Sequence, residues 1–231
     1  MQIIAMGGGG FSMEPDNPLL DRYILAQAGK AVPKICFIPT ASGDSEDYIA
    51  RFYRFFEKES CVPSHLSLLR LEIADLRSFL LDQDILYVGG GNSRNLLALW
   101  REWGLDAILR EAWEKGILLA GISAGSICWF EEGLTDSVPG RLTPIQALGF
   151  LPGSNTPHYD GEADRRPAYL QCIQRGQLQD GLAMDDGAAV HFVGTAVQRA
   201  ICSRPEAAAY RVSLQDGKAV EAKLPMHNLG E

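Results

Sequence analysis

The sequence has no apolar run approaching the roughly 18 residues that a membrane span needs. It also has no block of basic residues, and its formal net charge is −8. Together these argue against nucleic acid and anionic membrane as partners. The opening stretch, "MQIIAMGGGG", has no basic segment ahead of its few apolar residues. It therefore reads as a first buried strand and not as a targeting segment. No two of the five cysteines, Cys36, Cys61, Cys128, Cys172 and Cys202, stand in a CxxC pair. An odd number at wide spacing predicts reduced thiols held in a core, in a cytoplasmic protein. No GxGxxG or GxxxxGK[ST] motif and no metal-ligand spacing is present, so no cofactor or metal is expected.

What is there is a balanced soluble composition, 46% hydrophobic and 22% charged, over 231 residues. That length suits one α/β domain covering 1–231. Short apolar runs alternate with helical patterns. Strands are expected at 2–6, 34–40, 64–71, 84–90 and 117–121. A helix is expected to enter at Ser42–Asp44, with Ile49, Phe52, Tyr53 and Phe56 on one face. A second is capped by Asn92 or Ser93 and buries Leu96, Leu99, Trp100 and Trp103. A third carries Leu105, Ile108, Leu109 and Ala112 and ends near Gly116. Such alternation predicts a mostly parallel sheet flanked by helices. Residues 131–162, rich in Gly, Pro, Asp and Ser, read as irregular loops. From about residue 181 the pattern is mostly strand, a C-terminal β-rich extension with a hairpin signal at Asp216-Gly217.

Ligands of a parallel sheet bind beyond the carboxyl ends of its strands. Three glycine-bearing segments follow strand ends here: "GGGGF" (7–11), "GGGNS" (89–93) and "GISAG" (121–125). The last has the Gly-x-Ser-x-Gly form of a nucleophile elbow. A serine on so sharp a turn crowds its neighbours, and glycines two residues either side relieve the crowding. The N–H of Ala124 would then face a tetrahedral oxyanion, and a following helix would add its positive end. The competing reading is a tight turn of small residues that serves packing alone. Ser126 reads as helical packing or capping, and Cys128 as a core thiol.

A nucleophilic serine needs a base. His65 and His191 lie in apolar strand-like segments, where histidines are usually structural, and His227 lies near the C-terminal end. His158, in the polar loop "SNTPHYDGE", stands where a catalytic base is displayed. The acid that orients it is open among Asp186 in "AMDDGAA", Asp136 in "LTDSVP", Asp160 two residues past His158, and, less favoured, Asp185. A second oxyanion donor would come from "VGGGNS", whose glycines let a backbone N–H approach a substrate.

With "YVGGGNSRNLL", "GISAGS" and "NTPHYDGE" in this order, the chain resembles the peptidase E family of aspartyl dipeptidases, relatives of cyanophycinase. The resemblance covers most of the chain, from "MGGGGF" to "AMDDGAA". It implies a fold similar to class I glutamine amidotransferases. It implies Ser123 as nucleophile and His158 as base. Asp186 takes the place of the family's glutamate, one methylene shorter, so its loop must come closer. Asp136 matches another acidic position considered for the relay. Gly91 and Ala124 match the oxyanion donors, with Asn92 beside them. An N-terminal aspartyl substrate calls for a cation, and Arg165 and Arg166 in "EADRRPAYL" are the candidates, Arg166 foremost. The amidotransferase relatives carry cysteine at the elbow, so Ser123 argues against glutaminase chemistry.

The first expectation is therefore a serine peptidase that cuts short peptides, with a small peptide as its partner. A cyanophycinase-like action on β-linked aspartyl peptides is the nearest alternative. A small-ligand-binding module, with "GGGGF" cradling a phosphate, is the second. Exposed apolar edges would allow a homodimer, although no sequence feature demonstrates one.

Overall fold

Four apolar runs and the more exposed Val62–His65 become parallel strands in the larger of two sheets. They are β1 (Gln2–Met6), β2 (Lys34–Ile38), β3 (Val62–His65), β4 (Ile85–Val88) and β5 (Leu118–Ile122). The computed structural model describes residues 1–231. Ile3, Ile4, Ile35, Phe37, Leu86, Tyr87 and Leu119 are fully buried, as strands covered on both faces must be. One face is covered by α1 (Gly10–Met13), α2 (Leu19–Gln27) and α3 (Glu46–Phe56). There Phe11, Phe37, Phe52, Phe56 and Tyr87 pack ring to ring. The other face carries α4 (Leu76–Leu81), α5 (Ser93–Glu102), α6 (Leu105–Glu114) and α7 (Ala124–Ile127), with Trp100, Trp113 and Trp129 beneath them.

Two boundaries differ from expectation. The helix expected to enter at Ser42–Asp44 begins later. Thr40–Ser42 form a 3-10 turn, Gly43 and Asp44 have φ of 70° and 54°, and Ser45 caps α3 by accepting the Tyr48 N–H. The strand expected at 64–71 is Val62–His65. Its neighbour β2 ends at Ile38, so Leu66 makes the last main-chain bond, to Phe37 O. Leu66 and Leu68 are buried by the core and not by pairing.

The larger correction concerns the second half. Residues 131–162 are not irregular: they hold β6 (Phe130–Val138), β7 (Arg141–Gln146) and β8 (Leu151–Thr156). Their Gly and Pro residues lie where strands tolerate them. Pro139-Gly140 turn the β6–β7 hairpin, and Pro144 sits on β7, an edge strand. Then follow α8 (Arg165–Gln174), β9 (Gly181–Met184), β10 (Ala188–Val193), β11 (Ala196–Cys202), β12 (Ala209–Gln215), β13 (Lys218–Lys223) and β14 (Met226–Asn228). These strands are not an extension. The eight-stranded sheet runs β14-β11-β10-β1-β5-β4-β2-β3, and the six-stranded sheet β13-β12-β9-β8-β6-β7. In the larger sheet only β10 pairs antiparallel, with β1 on one side and β11 on the other. Asp216 and Gly217 turn the β12–β13 hairpin, both with positive φ. One buried cluster runs from Ile3, Leu119 and Val190 of the first sheet to Phe130, Leu151 and Ala209 of the second.

This topology sets the site. β1 lies between β5 and β10. Because β10 is antiparallel, its amino end meets the carboxyl ends of β1 and β5 at one edge.

Candidate active site

Ser123 occupies the turn between β5 and α7 with φ 57° and ψ −116°. Such a conformation costs a non-glycine residue on the order of 1–3 kcal/mol and persists only where the surroundings enforce it. They do so here. A Cβ on Gly121 would stand 1.9 Å from the Gly125 carbonyl oxygen, and one on Gly125 would stand 2.3 Å from Val88 O. Only glycine fits at either place. The Ser123 N–H bonds Met6 O at 3.3 Å, and its carbonyl accepts from the N–H groups of Ser126 and Ile127. The following helix is a single turn, shorter than expected, because the chain enters β6 at Phe130. Ser126 donates to Asn155 Oδ1 in the interior, and the Cys128 thiol is buried and pushed well above its ordinary pKa by burial.

His158 follows β8, and its Nδ1 lies 2.6 Å from Asp186 Oδ1. Both side chains are mostly buried. His158 Nε2 and the half-buried Ser123 hydroxyl have no hydrogen-bond partner within the protein. Asp186 lies on the short link between β9 and β10, where Gly8 forms an isolated parallel bridge with it. The other acids hold different places. Asp160 Oδ1 accepts the main-chain N–H of Asp186 at 2.8 Å. Asp185 accepts the Ala208 N–H, and burial, aided by the Asp160 charge, pushes it up to about 6. Asp136 is largely exposed, 3.9 Å from Arg165.

The short reach of Asp186 is met by close backbone approach. A Cβ on Gly8 would stand 1.9 Å from Asp186 Oδ1, and one on Gly161 would stand 2.4 Å from Asp186 Oδ2. Sequence reasoning missed this use of Gly8. Its signal was the glycine run after the first strand, read there as a phosphate cradle.

Gly90 runs alongside the elbow, its missing Cβ 3.2 Å from Ser123 Cβ. The Gly90 N–H donates to Tyr48 Oη, whereas that of Gly91 meets no protein acceptor. Asn92 anchors this loop. Its N–H bonds Ala41 O, its Oδ1 caps α5 through the Asn95 N–H, and its Nδ2 donates to Ser137 O of β6. Its side chain is thus occupied in holding Gly91 in place.

A sequence model of peptidase family S51 matches residues 3–200, the span that carries Gly8, Ser123, His158 and Asp186. The chain belongs to peptidase family S51. It is 60% identical over 229 residues to the uncharacterized peptidase YgaJ of Bacillus subtilis (strain 168), a match covering 99% of each chain. A shorter match, 39% identical over 90 residues and covering 38% of each chain, is to peptidase E of Shewanella amazonensis (strain ATCC BAA-1098 / SB2B). Among solved structures, a peptidase from an acI-B1 actinobacterium has the same fold. Its TM-score is 0.70, it covers 97% of this chain and 94% of its own, and it is 16% identical.

The cations of this S51 peptidase are not arranged as the sequence suggested. Arg165 is buried, donating to Leu134 O and Glu162. Arg166 pairs with Glu221 at 2.8 Å and stacks over Tyr159 and Tyr210. Each already has a carboxylate partner, Arg165 in the interior and Arg166 half-exposed. Two other arginines lack a carboxylate partner and connect to the Gly89–Asn92 segment, Arg94 two residues past it in the chain and Arg51 through Tyr48, whose Oη accepts the Gly90 N–H. Arg94 bonds Thr143 Oγ1, and Arg51 bonds Ser12 O and lies over the Tyr48 ring.

The glycine loop after β1 already holds a carboxyl group of the S51 peptidase itself. Asp21, fully buried, accepts the Phe11 N–H at 2.7 Å, and burial pushes its carboxyl up to about 7. The Phe11 N–H, a donor that a phosphate cradle here would use, is thus already taken. His65 and His191 are structural, bonded to Tyr53 and to Tyr23 and Gln2 respectively. His227 is exposed on β14.

Proposed function

We propose that this S51 peptidase is a serine-type exopeptidase that cuts short peptides, dipeptides with an N-terminal aspartyl residue among them. The observation that carries the reading is the 2.6 Å bond between His158 Nδ1 and Asp186 Oδ1, on the same sheet edge as an elbow serine whose hydroxyl no protein group holds.

The chemistry follows from those positions. Asp186 holds the proton on His158 Nδ1, so Nε2 is the basic nitrogen. Nε2 takes the Ser123 proton as Oγ attacks the scissile carbonyl carbon. The N–H groups of Ala124 and Gly91 take up the oxyanion. Collapse breaks the C–N bond, and His158 returns the proton to the leaving amine. Water then attacks the acyl-serine ester, His158 again takes the proton, and the acid leaves with Ser123 regenerated. The Ser123–His158 hydrogen bond, absent in the free protein, forms when substrate fills the site, since catalytic hydrogen bonds are often long or misaligned in free enzymes.

Support for an acidic substrate comes from Arg94 and Arg51, the unpaired cations connected to the Gly89–Asn92 loop. A panel of aspartyl, asparaginyl, alanyl and β-linked aspartyl dipeptides tests the reading, with Ser123→Ala as control. Cleavage that vanishes in Ser123→Ala supports it, and equal cleavage by both proteins overturns it. Preference for the β-linked member would move the substrate to the cyanophycinase-like class. Arg94→Gln or Arg51→Gln is expected to lower kcat/KM for Asp over Asn substrates by about tenfold, the effect of one charge-assisted bond.

A further inference from the structure

The pairing of His158 with Asp186 depends on how Asp186 itself is held. Its side chain has a short reach, and the loop that carries it is only a few residues long. Its main-chain N–H is taken by Asp160 Oδ1 at 2.8 Å. Its main-chain carbonyl accepts a hydrogen bond from Arg204 Nη2. The same guanidinium reaches two more segments. Arg204 Nε lies 3.3 Å from Glu14 Oε1, just past α1, and Nη2 lies 3.8 Å from Asp160 Oδ2, two residues past His158. A fourth carboxylate, Glu206, lies 3.9 Å away and is largely exposed.

From this geometry we infer that Arg204 is the positioning residue of the acid–histidine pair, an inference that rests on the peptidase reading above. Three chain segments far apart in sequence converge at the site: the glycine loop with Gly8, the His158 loop, and the β9–β10 link with Asp186. Arg204, on the β11–β12 connection, bonds the link at Asp186 O, pairs with the His158 loop at Asp160, and pairs with Glu14 at the end of the short helix that follows the glycine loop. With Asp160 it grips both sides of the Asp186 residue, N–H on one and C=O on the other, and the two grips are paired with each other. Arg204 also sets the charge. Glu14, Asp160 and Glu206 gather around it, each within 4 Å of its guanidinium, and the Asp186 carboxylate lies on the link whose carbonyl it bonds. Without it their mutual repulsion favours an open link and a displaced Asp186. Asp160, one of the acids considered for the triad, thereby acts through Asp186 and does not orient the imidazole itself.

Arg204 touches no reacting atom, so its loss should weaken turnover and leave substrate affinity alone. In Arg204→Met, kcat is expected to fall about 10- to 100-fold with KM within about twofold, the scale typical of lost supporting contacts. Arg204→Lys keeps the charge but cannot bond the carbonyl and reach Glu14 and Asp160 together. It is expected to recover part of kcat, and it keeps the test usable should the Met variant fail to fold. A second readout does not depend on turnover. A proton on His158 Nδ1 shared with a carboxylate gives a far-downfield proton resonance. It should be present in the wild type, absent in Asp186→Asn, lost in Arg204→Met and partly retained in Arg204→Lys. Folded Arg204 variants that keep both the resonance and the wild-type kcat overturn the proposal while the peptidase reading stands. Turnover that survives Ser123→Ala overturns the peptidase reading, whatever Arg204 does.

Discussion

Single atoms decide whether this site works. In the proposed mechanism, Asp186→Asn removes the carboxylate that holds the His158 tautomer and stabilises the imidazolium. Turnover should fall on the order of 10⁴-fold with little change in fold, read as kcat beside a circular dichroism spectrum. Gly8→Ala tests the close approach from the other side. Its methyl would overlap Asp186 Oδ1, so the carboxylate must move. Displacement of a catalytic group by about 1 Å costs up to about 100-fold, and a loss of 10- to 100-fold in kcat is expected. Wild-type kcat in Gly8→Ala would show that Asp186 has room the structure does not show. These two residues were unequally legible. Asp186 stood among four acids, and no local pattern ranked them by geometry, because the choice depends on where β8 and β10 meet β1. Gly8 carried a visible signal, but a glycine run looks the same whether the backbone must approach a phosphate or a carboxylate of its own chain.

Elements carry the Gly89–Asn92 loop, the proposed oxyanion donor, and tie the two sheets together. α5 starts at Asn92, whose side chain caps the helix and reaches across to Ser137 of β6. Asn92→Ala should cost about 0.5–2 kcal/mol from the lost cap alone. Because the same side chain anchors Gly91, kcat/KM should fall as well, and a lowered Tm with unchanged kcat/KM would sever that link. The central strands and α5 and α6 were readable from apolar periodicity, since each buries a continuous stripe or run, although Trp103, expected on the inner face of α5, is exposed at its C-cap. β6 to β8 were not readable. Their Gly and Pro residues sit at turns, bulges and an edge, positions that propensity cannot tell from loop. A helix after the elbow was expected and α7 is there, but its single-turn length was hidden for a related reason: the apolar run after the elbow continues into β6, and burial in a helix and in a strand leave the same mark.

Taken whole, the molecule stores a carboxyl at its centre that no mechanism uses. Asp21 has a folded pKa of about 7 against 3.8 for the unfolded chain, raised by burial between the glycine loop and Tyr87. Between those values the folded state binds the extra proton, so stability is full below about pH 4, declines up to about pH 7 and is level above it. The difference amounts to on the order of 4 kcal/mol. Asp185, pushed up to about 6, adds a decline of the same sign at the lower end, while buried His191, shifted down, loses stability as pH falls below 6.5. Subtracting the pH–stability curve of Asp21→Asn from that of the wild type isolates the first of these. The variant should be the more stable at pH 8, and equal stabilities at pH 5 and 8 in the difference curve would rule out a raised Asp21. The sequence by itself determined the residue types of the site, the parallel core and the strained elbow, because each follows from local patterns of burial and sterics. Which acid faces His158, which arginines remain unpaired and how the C-terminal strands divide between two sheets were decided only by the tertiary structure. Those choices depend on distances between segments far apart in the chain, set by strand order and by the carboxylates already in place.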